Sequence, residues 1–141
     1  MNKKLISTLS GIEYPFERIE EFADNGESLE VKTGNTENVR IGKEGKLFQR
    51  YAEFLPFESL NEEISLGEGN TPLLKAEPKL IEYAGISNLY LKNETLNPTW
   101  SFKDRGSFAC MLMSHEMGEK TTATISTGNM GNSIAAYAGR S

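Results

Sequence analysis

One cysteine and one histidine are all that 141 residues provide of those types, and each scarcity removes a class of function. Cys110 alone permits no internal disulfide and no cysteine metal cluster; it reads as a small packed side chain. His115 has no second imidazole to share a metal with and reads as a surface or helix-end residue. Positive charge is also short: 15 basic residues face 20 acidic ones, a net charge of −5 with no basic cluster. That balance argues against nucleic acid or a membrane surface as partner, so any phosphate must be held locally. No stretch approaches the roughly 20 apolar residues of a membrane span, and the first ten residues lack the apolar centre of a signal peptide. A cytoplasmic location is the expectation. Repeats and low-complexity runs are absent.

What the chain does have is a lysine in an unusual setting. The run Asn97-Pro98-Thr99-Trp100-Ser101-Phe102-Lys103-Asp104-Arg105-Gly106 begins with an Asn-Pro step that favours an extended or turning backbone. Thr99 or Ser101 can cap the amides that follow. Residues 102–117 then show helical spacing, with Phe108, Ala109, Leu112, Met113 and Met117 as the apolar face. Lys103 falls in the first turn, where the helix macrodipole disfavours a positive charge. A nucleophilic amine must be neutral, and the roughly 4 kcal/mol this requires exceeds what a helix end supplies. Burial against Phe102 or Trp100 would have to contribute the rest. The plainer alternative pairs Lys103 with Asp104 or another carboxylate.

A second motif follows about two dozen residues later. Thr121-Thr122-Ala123-Thr124-Ile125-Ser126 is rich in β-branched residues and predicts a strand, and Ser133-Ile134-Ala135-Ala136-Tyr137-Ala138 predicts the start of a helix. Between them, Ser126-Thr127-Gly128-Asn129-Met130-Gly131-Asn132-Ser133 forms a strand-to-helix loop. Its glycines permit close backbone approach, its hydroxyls and amides donate, and the next helix adds an amide-rich N-terminus. A carboxylate or phosphate suits such a loop. An ordinary turn capped by Asn132 or Ser133 is the plainer alternative.

Both stretches resemble threonine synthase, a family of pyridoxal-phosphate enzymes of fold type II with an Asn-Pro-Thr-x-Ser-Phe-Lys-Asp-Arg-Gly segment and a Ser-Thr-Gly-Asn loop. Leu66-Gly67-Glu68-Gly69-Asn70-Thr71-Pro72-Leu73-Leu74 and Leu89-Tyr90-Leu91-Lys92-Asn93-Glu94 are similar to two further segments of the family, so four ordered matches cover most of residues 66–141. The resemblance implies that Lys103 joins the aldehyde of pyridoxal 5'-phosphate as a Schiff base and later acts as general acid and base. It places Asn129 against the phenolic oxygen of the cofactor and Ser126, Thr127, Gly128 and Met130 around the substrate carboxylate. The implied reaction takes O-phosphohomoserine, an amino-acid phosphate, and water to threonine and phosphate. Asp104, Arg105, Glu94 and Asn97 read as anchors rather than reacting groups. Two departures stand out: Met130 replaces a threonine of many members, and Trp100 stands where glycine is frequent. Other fold type II lyases, such as a threonine dehydratase or a cysteine-synthase-like enzyme, would use the same lysine. Outside enzymes, the reading is an inactive fragment or an anion-binding module.

The fold that this resemblance implies is α/β, a three-layer sandwich around a parallel sheet like that of tryptophan synthase β. Residues 61–141 would begin that catalytic domain and residues 1–60 would form a small β-rich arm. The chain is then expected to be the N-terminal portion of a longer enzyme, homodimeric when whole, whose phosphate loop and pyridine-nitrogen partner lie beyond Ser141. Ser10-Gly11-Ile12-Glu13-Tyr14-Pro15 and Asn25-Gly26-Glu27-Ser28-Leu29-Glu30-Val31 look like the zinc-ribbon knuckles of some members without their cysteines, so no metal is expected. Turns are predicted at Asn25-Gly26 and around Lys43-Glu44-Gly45.

Overall fold

Glycines at positive φ, Gly11 at 70° and Gly26 at 80°, shape the first two reversals of the chain, a conformation that glycine adopts without strain. The strands around them are β1 (Lys4–Ser7), β2 (Glu13–Pro15) and β3 (Leu29–Lys32). They pair antiparallel in the order β2-β1-β3, with Leu5 opposite both Tyr14 and Val31. The computed structural model describes residues 3–18, 20–34 and 37–141, which pack as two compact units, Met1–Leu60 and Asn61–Ser141. In the first unit the Glu27 carboxylate accepts from the Ser7 hydroxyl and from the Ser10 amide (2.9 Å), closing the sheet onto the Asn25-Gly26 turn. Phe16 and Ala23 are its buried apolar side chains. A bend at Lys43-Glu44-Gly45, with Gly45 at φ 93°, leads into α1 (Leu47–Arg50) and a 3₁₀ turn at Ala52–Phe54.

The second unit opens with β4 (Leu73–Lys75). Helix α2 (Pro78–Ala84) has proline at its start, where no donor is lost, and Gly85 in the left-handed region at its end. Strand β5 (Tyr90–Lys92) returns antiparallel to β4, with Leu74 opposite Leu91. A 3₁₀ turn at Glu94–Leu96 then feeds α3 (Lys103–Glu116), and α4 (Asn129–Ala138) packs on α3. Their interface buries Phe108, Met111, Leu112, Ile134 and Tyr137, with Ile64 and Ala76 completing the apolar core. Each large side chain contributes roughly 1.5–3 kcal/mol by burial. The rings of Phe108 and Tyr137 meet tilted, 6.5 Å apart.

Several expectations change at this level. The described residues form two small antiparallel sheets and no parallel pair, so the parallel three-layer sandwich is not formed by them. Residues 121–126 are not a strand: they are exposed and without regular structure. Their β-branched residues favour extension, but a strand is completed by a neighbour's amides and carbonyls, and none lies alongside. Helix α4 starts at Asn129, four residues before Ser133, so neither Asn132 nor Ser133 caps it. The buried face of α3 runs through Asp104, Ser107, Phe108, Met111 and Leu112; Ala109, Met113 and Met117 are only half-buried beside it. Cys110 is exposed because it falls off that face. His115 is exposed in the last turn of α3, as its position suggests.

Candidate active site around Lys103

The lysine is delivered by a tight turn. The Trp100 amide donates to the Asn97 carbonyl (2.9 Å), and the order Asn, Pro, Thr is the composition of a type I turn whose fourth position prefers glycine. Trp100 occupies that fourth position with φ 61° and is 82% exposed. A glycine would adopt this backbone conformation without strain. Keeping an indole there costs roughly 1–2 kcal/mol of left-handed strain, with no burial to offset it.

Lys103 is the first residue of α3 and half-buried. Its Nζ lies 4.6 Å from the centre of the Phe102 ring, whose face attracts the ammonium. The alternative in which Lys103 pairs with Asp104 is not realised. The Asp104 carboxylate, fully buried, accepts from the Thr99 amide (2.7 Å), the Thr99 hydroxyl and the Ser133 hydroxyl (2.6 Å). No carboxylate of the described residues forms an ion pair with Lys103 Nζ.

A second layer of buried polar groups holds the turn from behind. Glu94 takes a two-pronged bond from Arg105, Nε to Oε2 and Nη2 to Oε1, both 2.8 Å, and accepts from the Thr71 hydroxyl and the Asn97 amide. The Arg105 bond is the main reason that the Glu94 carboxyl titrates at about 2 rather than 4.5, with Thr71 and Asn97 adding to it against a burial penalty. Asn97 also accepts from the Gly69 amide (2.9 Å), joining the Gly67-Glu68-Gly69 loop to the lysine turn. Glu68 in turn accepts from Tyr137 Oη (2.8 Å), Ser65 Oγ and the Leu66 amide. Burial, then the bond to Glu68, pushes the Tyr137 phenol above its ordinary range.

An acid-sensitivity prediction follows from Glu94. Its folded-state pKa is depressed, so the stabilisation is full above about 4.5 and is lost as pH falls through about 2. Thermal melts between pH 5 and 2 should show this loss in the native chain and a flatter profile in Glu94→Gln. Parallel profiles would remove the pair from the acid response.

The other predicted site residues lie in and after the loop that enters α4. Ser126, Thr127, Gly128 and Asn129 are exposed, and Met130 is half-buried. The Gly128 amide donates to Ser126 Oγ (3.1 Å), and the first bond into the helix runs from the Asn132 amide to the Gly128 carbonyl (3.2 Å). The amides of Asn129, Met130 and Gly131 therefore have no acceptor within the helix. A Cβ on Gly128 would meet nothing within 4 Å, whereas one on Gly131 would press Ser126 at 3.3 Å. The loop is open on its outer side and tight on its inner one. The bond between Asp104 and Ser133 ties the first turn of α3, which carries Lys103, to the second turn of α4, one turn beyond the open amides. One turn beyond Lys103, Ser107 Oγ is buried without a partner among the described residues.

This donor set fits an anionic aldehyde: a half-sheltered primary amine without a carboxylate partner, beside free helix amides that favour negative charge. Among the described residues no cluster of three metal-binding side chains exists, and no helix is long and apolar enough to cross a membrane.

Comparison with known proteins gives the same direction. Residues 64–141 match the family described as pyridoxal-phosphate dependent enzyme. A threonine synthase of Methanocaldococcus jannaschii is 45% identical over 92 residues, covering 65% of this chain and 22% of that protein. A threonine synthase of Halalkalibacterium halodurans is 44% identical over 94 residues, 67% of this chain and 26% of its own. One from Synechocystis is 39% identical over 95 residues, 67% and 25% respectively. The matched stretch spans about a quarter or less of each of these relatives.

Proposed function

The chain belongs to the pyridoxal-phosphate dependent enzyme family, and from that premise we propose that it carries the lysine and the anion loop of a threonine synthase, which converts O-phosphohomoserine and water to threonine and phosphate. The observation that carries this reading is the pairing of Lys103 at the head of α3 with the open amides of α4, joined through Asp104 and Ser133. The similarity to three threonine synthases supports the choice of reaction over other uses of the same lysine.

Pyridoxal phosphate, when bound, supplies an electron sink for negative charge developing on the substrate carbons. The protein's residues do the rest. The Lys103 amine would hold the cofactor and would be the group that moves a proton at the substrate carbons. Ser126, Thr127, Gly128 and Met130 hold the substrate carboxylate, the helix amides supplying the positive end of a dipole. Asn129 would help to hold and orient the cofactor. Met130 brings a thioether where a hydroxyl would donate, so the carboxylate relies more on backbone amides in this chain than in members with threonine there.

The proposed whole enzyme is a three-layer α/β sandwich, with residues 1–60 as a β-rich arm and residues 61–141 as the start of the catalytic domain. The test is the visible spectrum of the protein after incubation with pyridoxal phosphate and dialysis, titrated with O-phosphohomoserine, O-acetylserine or threonine. The expected result is a band change at the lowest concentration with O-phosphohomoserine. A preference for O-acetylserine would point to a cysteine-synthase-like enzyme, and one for threonine to a dehydratase.

A further inference from the structure

We infer that Asp104 and Ser133 are positioning residues that set the spacing between the lysine and the anion loop, so that the two halves of the site move as one piece. The meaning of this for catalysis rests on the cofactor being carried by Lys103; the coupling itself rests on the contacts alone. Asp104 follows Lys103 directly and is completely buried, with its oxygens satisfied from two directions. Thr99, before the lysine, donates its amide and hydroxyl, and Ser133, in the second turn of α4, donates its hydroxyl. An ionised carboxylate is acceptor-only and suits three donors; an amide would turn a donor toward one of them.

The loop cannot do this by itself. Helix α4 has no side-chain cap at its start, residues 126–129 are exposed, and Ser126 spends its hydroxyl on Gly128 within the loop. The other buried tie of α4, Tyr137 to Glu68, lies one turn further along and leads to a different segment. Ser133 is thus the side chain through which the first half of α4 is hydrogen-bonded to the lysine turn. Because hydrogen bonds to charged acceptors in buried surroundings are among the stronger ones, losing this one should loosen both sides of it together.

Two measurements on the 141-residue protein test this. Amide hydrogen exchange followed by mass spectrometry is expected to quicken in Ser133→Ala by about tenfold in residues 99–105 and in residues 129–133 together. Tyr137→Phe, which loosens the far end of the same helix, should reproduce neither the place nor the ratio. A change confined to α4, or one matched in Tyr137→Phe, would overturn the inference. In parallel, pyridoxal phosphate followed by borohydride marks lysines by mass. Lys103 in Ser133→Ala and in Asp104→Asn is expected to be marked about tenfold more slowly than in the native protein, with Lys120 unchanged as reference. If Lys103 and Lys120 are marked alike in the native protein, the assignment of the cofactor to Lys103 fails, while the exchange result still decides the coupling.

Discussion

Lys103→Ala is expected to abolish covalent capture of pyridoxal phosphate. After incubation, borohydride reduction and digestion, the native protein should give one dominant pyridoxyl-peptide containing residue 103, and the variant should give none there. The physical basis is a difference among lysines. Lys4 is paired with Glu13, and Lys92 donates to the Thr71 carbonyl; Lys103 instead rests half-buried on the Phe102 ring with no carboxylate partner among the described residues. No carboxylate holds its amine away from an aldehyde, and the amides at the start of α4 attract the phosphate or carboxylate of the arriving ligand. Lys103→Arg keeps the positive charge but offers a guanidinium that stays protonated, so it too should give no modified peptide. That variant separates covalent attachment from simple charge attraction. Undiminished visible absorbance in both variants would show that the aldehyde is held elsewhere.

Tyr137→Ala should destabilise the second unit severely, by about 3–5 kcal/mol. Tyr137 has no exposed surface, packs its ring against Phe108 and gives its hydroxyl to the buried Glu68 carboxylate. Alanine removes all three features and leaves a cavity between α3 and α4. Tyr137→Phe keeps the ring and removes only the hydroxyl, so its cost is about 1–3 kcal/mol, the range for depriving a buried acceptor of one donor. Glu68 would keep its bonds from Ser65 and Leu66, which places the expected value toward the lower end. In melting temperature, roughly 4–8 °C are lost per kcal/mol for a unit of 60–100 residues. Thermal melts followed by near-ultraviolet circular dichroism should therefore rank native above Tyr137→Phe above Tyr137→Ala. A phenylalanine variant that melts with the native protein would mean the phenol contributes packing alone.

The parts of this molecule that were legible in its sequence are those written in local chemistry. Asn97-Pro98 announced an extended or turning backbone, the spacing of Phe108 and Leu112 announced a helix, and Lys103 fell where that helix begins. Trp100 stood out in the sequence only as a departure from the family pattern, and the left-handed backbone beneath it emerged from the structure. What stayed hidden depends on partners distant in sequence. Residues 121–126 carry every local sign of a strand, yet strand formation is a property of pairs. Helix α4 began earlier than its alanine-rich run suggested because Asn129 and Gly131 are poor helix formers whose preference the packing of Ile134 and Tyr137 overrides. Counting apolar residues also missed Asp104, Ser107 and Ser133, which are among the most buried side chains of the second unit. The available signal was positional: Asp104 and Ser107 recur with Phe108, Met111 and Leu112 at steps of three and four, and Ser133 lies four residues before Tyr137.

The bond from Tyr137 to Glu68 joins positions 69 residues apart, and this imposes an order on how the molecule is made. During synthesis at roughly 5–20 residues per second, roughly 3–14 s pass between the addition of Glu68 and that of Tyr137. By the later part of that interval the loop bearing Glu68 and the lysine turn have been made, while Ser133 and Tyr137, which donate to Asp104 and Glu68, have not. The buried carboxylates of Glu68 and Asp104 then lack one donor each. A ribosome that pauses between codons 105 and 133 would prolong this open state, so translation speed along that stretch becomes a determinant of how much of the protein reaches its folded form.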